Sequence, residues 1–154
     1  MRIDKKLFFG VIALTTIGCN DVGAGMKYQN AEIGVINGRA INCFRFGWGL
    51  DAQAIYIGAN RDVCGGFDSS TNICFGRGQY AIYYKIEADT LKLYTDAHIS
   101  IPSRFPVPVQ LKNSIGQLAW AGKLKEVDFN GPANEVSCWL SYKSNTGEMT
   151  VKEK

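Results

Sequence analysis

Histidine, long apolar runs and clusters of basic residues are scarce in this chain of 154 residues. Its single histidine, His98, excludes a histidine-rich metal centre, and no metalloprotease or EF-hand motif is present. The longest uncharged apolar run is shorter than the roughly 20 residues that a membrane-spanning helix needs. No Lys/Arg cluster indicates a nucleic-acid surface. We therefore predict no metal, no cofactor and no nucleic-acid partner.

Catalytic residues are not marked by any recognisable motif. His98 lies in the stretch DAHISI near Asp96, and no nucleophile motif accompanies it. A lone histidine of this kind is more often a surface or packed strand residue than half of a Cys–His or Ser–His pair. The oxygen-rich run DSSTN, residues 68–72, is explained more simply as a solvated loop tip than as a cation site. We expect a protein that is not an enzyme.

The N-terminal residues have the pattern of an export signal. Basic residues at positions 2, 5 and 6 precede the uncharged apolar run LFFGVIALTTIG, residues 7–18. A basic start followed by an apolar run of about 7–15 residues is typical of a secretory signal. The sequence therefore predicts export across a bacterial inner membrane.

The apolar run ends in TIGC, residues 16–19, which resembles the lipobox of bacterial lipoproteins. The resemblance departs from the family at Thr16, where leucine is usual. It implies a signal peptide over residues 1–18, a lipidated Cys19 and a flexible tether over residues 19–30. The alternatives are a secreted or soluble periplasmic protein with an unpaired Cys19, and a cytosolic protein whose N-terminus is a strand.

Length and charge are those of one small domain once the signal is removed. Loss of residues 1–18 from 154 leaves 136, and residues 31–154 are predicted to form a single β-rich domain. The signal contains three basic residues and one acid, so 14 basic residues then face 13 acids. The net charge falls from +3 to +1. The basic character of the whole chain thus comes mostly from the signal.

The cysteine count fits an oxidising compartment. Five cysteines are present, and lipidation of Cys19 would leave an even set of four. Four cysteines allow three pairings, of which we favour Cys64–Cys74 and Cys43–Cys138. The first pair would close a short polar loop, and the second would join strand-like segments from distant parts of the chain. Buried free thiols are the alternative, whereas the spacing does not suit zinc.

Most segments alternate apolar and polar residues, as half-buried strands do. Asn37-Gly38 between AEIGVI and RAINCFRF predicts a two-residue hairpin. QYAIYYKIEA and VSCWLSYK also alternate, whereas the proline-rich run IPSRFPVPVQ suits an edge or connector. Residues 114–127 are predicted as a strand or one short helix. The fold class is therefore all-β, a small antiparallel sandwich or barrel of about seven or eight strands.

A long loop between two strands is the main candidate for a partner-binding surface. Residues 58–79 contain five glycines, two cysteines and two phenylalanines, and loops of this length are usually functional or disordered. The segment FRFGWGLD, residues 44–51, is a second candidate surface, in which Trp48, between two glycines, is either exposed for binding or a core plug. A hairpin whose phenylalanines simply pack on the sheet is the alternative for the loop. The candidate partner-binding residues are Trp48, Arg61, Asp62, Phe67, Asp68, Phe75 and Arg77.

The signal, the short tether, the hairpin string INGR and the strand string YAIYY resemble the periplasmic lipoprotein immunity proteins of type VI secretion systems. The resemblance covers about half of the chain. It implies a lipid-anchored protein on the periplasmic face of a bacterial membrane that binds and neutralises a secreted protein toxin or effector. A structural or envelope-assembly lipoprotein is the alternative, and a lysozyme inhibitor or a small secreted enzyme fits less well.

Lipidation gives the first testable prediction. Mass spectrometry of the protein from its native membrane should show an acylated N-terminal Cys19, because several buried acyl chains at about 0.8 kcal/mol per CH₂ give a permanent anchor. Cys19→Ala should release the protein from the membrane fraction. An intact, unacylated N-terminal methionine would contradict the prediction.

Overall fold

The computed structural model describes residues 21–22, 26–48, 52–112 and 122–152. Within these ranges the regular structure consists of β-strands and one short 3₁₀ helix, which confirms the predicted all-β, sandwich-like class. The twelve strands outnumber the predicted seven or eight. Three of them have only two residues, a length that sequence alternation does not reveal. None of the described segments forms a helix long and apolar enough to cross a bilayer.

Twelve strands are numbered here in chain order through the described residues, and the 3₁₀ helix η1 lies between β4 and β5. They are β1 (Asp21–Val22), β2 (Lys27–Ile36), β3 (Arg39–Trp48), β4 (Ala52–Gly58), η1 (Val63–Gly65), β5 (Ile73–Arg77), β6 (Tyr83–Glu87), β7 (Thr90–Tyr94), β8 (Val109–Lys112), β9 (Lys125–Glu126), β10 (Asn134–Glu135), β11 (Leu140–Lys143) and β12 (Glu148–Val151).

These strands form three sheets. The five-stranded sheet has the order β10-β2-β3-β4-β5 and is antiparallel throughout. A four-stranded sheet, β8-β7-β6-β9, has one parallel pair, β7 with β8. A three-stranded sheet has the order β1-β11-β12. The proline-rich run therefore ends in β8, an edge strand, as predicted.

The five-stranded sheet is buried on both faces. Successive side chains of a strand point to opposite faces, so Ile41 and Cys43 of β3 face one way and Phe44 and Phe46 the other. The first pair belongs to a core that contains Leu91 and other residues of the four-stranded sheet. The second pair belongs to a separate core with residues of the three-stranded sheet. The molecule is thus a three-layer stack with the five-stranded sheet in the middle.

Local backbone geometry sets the register of the long strands. Asn37 and Gly38 have φ of 51° and 73°, the positive values that a tight hairpin turn requires, so the predicted β2–β3 hairpin is confirmed. A bulge in β2 shifts the register between Glu32 and Gly34. A Cβ atom on Gly34 would lie 2.8 Å from Cδ1 of Ile86. Glycine at this position lets the four-stranded sheet pack closely on β2.

Among the four described cysteines, Cys64 and Cys138 form a disulfide with Cα atoms 5.8 Å apart, while Cys43 and Cys74 are free. Both predicted pairings are therefore wrong. Cys43 is in the first core and Cys138 packs against the second, so the five-stranded sheet separates them. The chain between Cys64 and Cys74 pairs with β12 through Phe67, which places Cys64 beside Cys138 instead.

The N-terminal boundary of the fold also differs from the prediction. β2 begins at Lys27, and Met26 is buried in the second core, so the last residues of the predicted tether belong to the domain. Asp21 pairs with Ser141 of β11. Residues 113–121 lie outside the described residues, and with them most of the segment predicted as strand or helix; its end contains the strand β9.

The disulfide closes a loop of 74 residues, which in the chain-entropy model stabilises the fold by about 4 kcal/mol. A Cys64→Ser/Cys138→Ser variant should therefore lower the free energy of unfolding in urea by about 2–5 kcal/mol. Cys74→Ser is the matched control and should change it far less, since Cys74 closes no loop. An equal loss in the control, or disulfide mapping that pairs Cys43, would contradict this assignment.

Candidate functional site

The segment predicted as one long loop, residues 58–79, contains strand β5, so the loop between β4 and β5 is shorter than predicted. This loop is held tightly to its surroundings. The side chain of Asp62 caps η1 by accepting a hydrogen bond of 2.9 Å from the Cys64 amide. Asn60 Nδ2 donates to the Gly66 carbonyl at 2.9 Å. Phe67 exchanges two backbone hydrogen bonds with Met149, at 2.7 and 3.0 Å. Together with the disulfide, these contacts fix the loop on the three-stranded sheet.

The tip of the loop is a hydrogen-bonded turn that β12 also contacts. The Asp68 carboxylate accepts from the Ser70 amide at 2.9 Å, from the Ser70 hydroxyl and from the Thr71 hydroxyl at 2.7 Å. These donors, the Ser70 hydroxyl first, lower the pKa of the Asp68 carboxyl. Glu148 accepts from both the amide and the hydroxyl of Ser69. The carboxylates of Asp68 and Glu148 therefore order the loop by accepting hydrogen bonds from its amides and hydroxyls.

The two phenylalanines of the loop are core residues. Phe67 has no exposed surface and stacks on Tyr56, with ring centroids 4.7 Å apart. Phe75 is 5% exposed and lies in the core on the other face of the sheet. The prediction that they anchor a partner is therefore wrong, because a partner cannot reach them. Arg61, Asp62 and Asp68 are exposed on the same loop, as that prediction requires.

Two predicted contact residues meet at the end of the five-stranded sheet. Trp48 is the last residue of β3 and Arg77 the last of β5, and the Arg77 guanidinium carbon lies 5.9 Å from the Trp48 ring centroid. This distance is within cation–π range. The Trp48 ring packs half-buried against Tyr142, with centroids 5.3 Å apart, and the Tyr80 hydroxyl donates to the Arg77 carbonyl at 3.1 Å. We call Trp48, Arg77, Tyr80 and Tyr142 the tryptophan–arginine patch.

A shallow depression of about 390 Å³ lies beside this patch and brings His98 near Cys74. A Cys–His pair is one arrangement that nucleophilic catalysis uses, which requires a thiol with a lowered pKa. Burial, and then the negative charges of Glu148 and Asp68, instead raise the pKa of the Cys74 thiol to about 12. The thiol is therefore protonated at neutral pH, and its environment does not activate it.

Sequence reasoning missed Arg45, which lines several clefts on the opposite face of the sheet. Its guanidinium lies over the Phe129 ring, 4.4 Å from the centroid, and its Nη2 donates to Gln29 Oε1 at 2.5 Å. Arg45 lies in the second candidate surface, FRFGWGLD, of which only Trp48 is predicted as a contact. The string FRF, where a charged residue interrupts an apolar run, is the signal that could have added Arg45.

Comparison with known proteins assigns no function to the chain. No family model matches it, and no curated protein or solved structure is significantly similar to it. The lipidation site predicted at Cys19 lies outside the described residues. A functional proposal must therefore come from the geometry of the exposed side chains.

The protonated state of Cys74 is directly testable. At pH 8 its thiol should react with iodoacetamide about a thousandfold more slowly than in urea, since a pKa near 12 in place of 9.0 lowers the thiolate fraction by about that factor. Alkylation followed by peptide mass spectrometry gives the rate for each cysteine. Rapid labelling of Cys74 in the folded protein would show an activated thiol and would support the enzyme alternative.

Proposed function

We propose that this protein is an inhibitor-like lipoprotein of the bacterial envelope that binds and neutralises a protein toxin or effector by contact, without catalysis. The observation that carries the proposal is the exposed Arg77 guanidinium over the half-buried Trp48 ring, which packs on the buried Tyr142. Trp and Arg are among the residue types that dominate the binding energy of protein interfaces. Trp48 and Arg77 together are a suitable central contact for such a partner, with Tyr142 as their support.

The support beneath the patch favours tight binding. Trp48 and Arg77 end β3 and β5, Tyr80 follows β5, and Tyr142 of β11 is buried in the second core. The Tyr56 hydroxyl donates to the Gly147 carbonyl at 2.8 Å and so fixes the turn beside the patch. Side chains that are already ordered lose less conformational entropy when a partner binds. The patch is therefore preorganised for an interface.

Exposed charges of the loop after β4 lie apart from the patch. Trp48 pairs with Ala52 at the start of β4, whereas Arg61 and Asp62 follow Gly58 at its other end. Arg61, Asp62 and Asp68 are exposed, and none of them contacts the patch in the described structure. Their role in partner binding therefore stays a separate prediction, and the proposal depends on Trp48 and Arg77.

Lipidation at Cys19 would hold the domain close to the membrane. Asp21 of β1 pairs with Ser141, and only one residue separates Asp21 from Cys19. Two residues of extended chain span about 7 Å. The anchor would then place the three-stranded sheet at the bilayer surface, with almost no tether between them. This supports a fixed orientation of the protein on the periplasmic face of the membrane.

Exchange of Arg77 tests the proposal, because this side chain is exposed and its replacement spares both cores. Arg77→Glu should weaken binding to the toxin encoded by the adjacent gene by about thirtyfold or more, the effect of losing an interface hot spot. Isothermal titration calorimetry measures the affinity, and survival of toxin-exposed cells measures neutralisation.

Arg39→Glu is the matched control, because Arg39 is an exposed arginine at the opposite end of the β2–β3 hairpin from Trp48. It should leave both affinity and survival unchanged. Equal effects of the two variants would refute the patch as the interface. The envelope-assembly alternative would be favoured if the adjacent gene encodes no exported toxin and only Cys19→Ala abolishes function.

A further inference from the structure

Arg45 is a charged residue whose neighbours on β3, residues 41–44 and 46, are all buried. It follows Ile41 and Cys43 on the side of β3 that packs against the four-stranded sheet, yet it is only half-buried. In the β2–β3 register it lies directly opposite Gln29. A guanidinium in such a position requires partners of its own, since burial of an unpaired charge is costly.

The partners that the structure provides orient the guanidinium and leave most of its donors free. One N–H is donated to Gln29, and the flat face lies on Phe129. Gln29 Nε2 in turn donates to the carbonyls of Phe129 and Gly131, at 2.6 and 2.7 Å, and so ties this segment to β2. Among the described residues no carboxylate oxygen forms an ion pair with Arg45. The guanidinium has five N–H donors, so several remain for a ligand.

Two adjoining clefts border the guanidinium, with volumes of about 480 and 500 Å³. Both fall within the ~300–1,000 Å³ that is typical of small-ligand sites. Gln53, Gln79 and Tyr80 give the first cleft a polar side, while Ile55, Ile82 and Phe129 give it an apolar one. Glu126 lines both clefts, and a second exposed carboxylate, Asp128, lines the second cleft and accepts a hydrogen bond of 2.9 Å from the Asn130 amide. Glu126 is the acidic residue that the clefts share.

The charges in these clefts specify the class of ligand. A fixed guanidinium binds a carboxylate through two parallel hydrogen bonds. A simple anion would also face the negative charge of Glu126, whereas a ligand that adds an ammonium group would be attracted by it. We propose that the Arg45 cleft binds a small zwitterion, an amino acid or short peptide, with its carboxylate on Arg45 and its ammonium group at Glu126.

This site is distinct from the proposed toxin-binding patch. Arg45 projects from the face of the five-stranded sheet opposite to Trp48, and Tyr80 is the one residue that both share. Arg77→Glu should weaken toxin binding without changing the zwitterion site. A failure of one proposal is therefore distinguishable from a failure of the other.

A ligand series tests the charge requirement on the purified full-length protein. Alanylalanine, its C-terminal amide and its N-acetyl derivative are titrated by NMR of backbone amides at millimolar concentrations. Alanylalanine should give saturable shifts centred on Arg45, Gln53 and Glu126. Each modified dipeptide should bind at least about tenfold more weakly, because each loses one charge-assisted contact. Absence of saturable shifts, or shifts centred elsewhere, would overturn the proposal.

Two variants separate the roles of the charges. Arg45→Gln should weaken alanylalanine binding by at least about tenfold, and Arg39→Gln, at an exposed site, should not. Glu126→Gln changes an exposed side chain and remains informative even if Arg45→Gln fails to fold. It should abolish the preference for alanylalanine over its N-acetyl derivative. The assignment of the two charges would be overturned by either of two results. One is an unchanged preference for alanylalanine over its N-acetyl derivative in Glu126→Gln, and the other is an unchanged affinity for alanylalanine in Arg45→Gln.

Discussion

Burial of β3 and β4 on both faces is the constraint on which the rest of the structure depends. The five-stranded sheet has apolar side chains on both faces, with Cys43 on one face and Phe44 on the other. A single neighbouring sheet cannot cover both faces. The chain therefore supplies a layer from β6 to β9 on one side and a layer from β1, β11 and β12 on the other. The disulfide then links the loop after β4 to the segment before β11 and so fixes the second layer in place.

The same alternation decides which side chains remain available for function. Phe67 and Phe75 fill opposite cores, so the residues that a partner can reach lie where the strands end and the cover stops. Trp48 and Arg77 lie at one such end. Arg45 borders a cleft on the other face, where the four-stranded sheet no longer covers β3. Function on this scaffold is therefore expected at the margins of the layers.

Sequence reasoning predicted local features well, because turn chemistry and alternation are local properties. The Asn37-Gly38 hairpin is confirmed, and so is the alternation of VSCWLSYK, whose Val136, Cys138, Leu140 and Tyr142 all pack in the second core. It did not predict the disulfide, because pairing depends on which face of the middle sheet each cysteine occupies. It found Trp48 and Arg77 separately, but their contact comes from the β3–β4–β5 register, which sequence spacing does not specify.

The separation of the two cores is the central claim, and methyl–aromatic NOE spectroscopy measures it most directly. The account predicts NOEs from the Ile41 and Ile57 methyl groups to Leu91 and Leu93, and from the Met149 methyl group to the rings of Phe44 and Phe67. No NOE should join the two sets. Contacts between the Met149 methyl group and Leu91 or Leu93 would mean one continuous core and would contradict the three-layer fold.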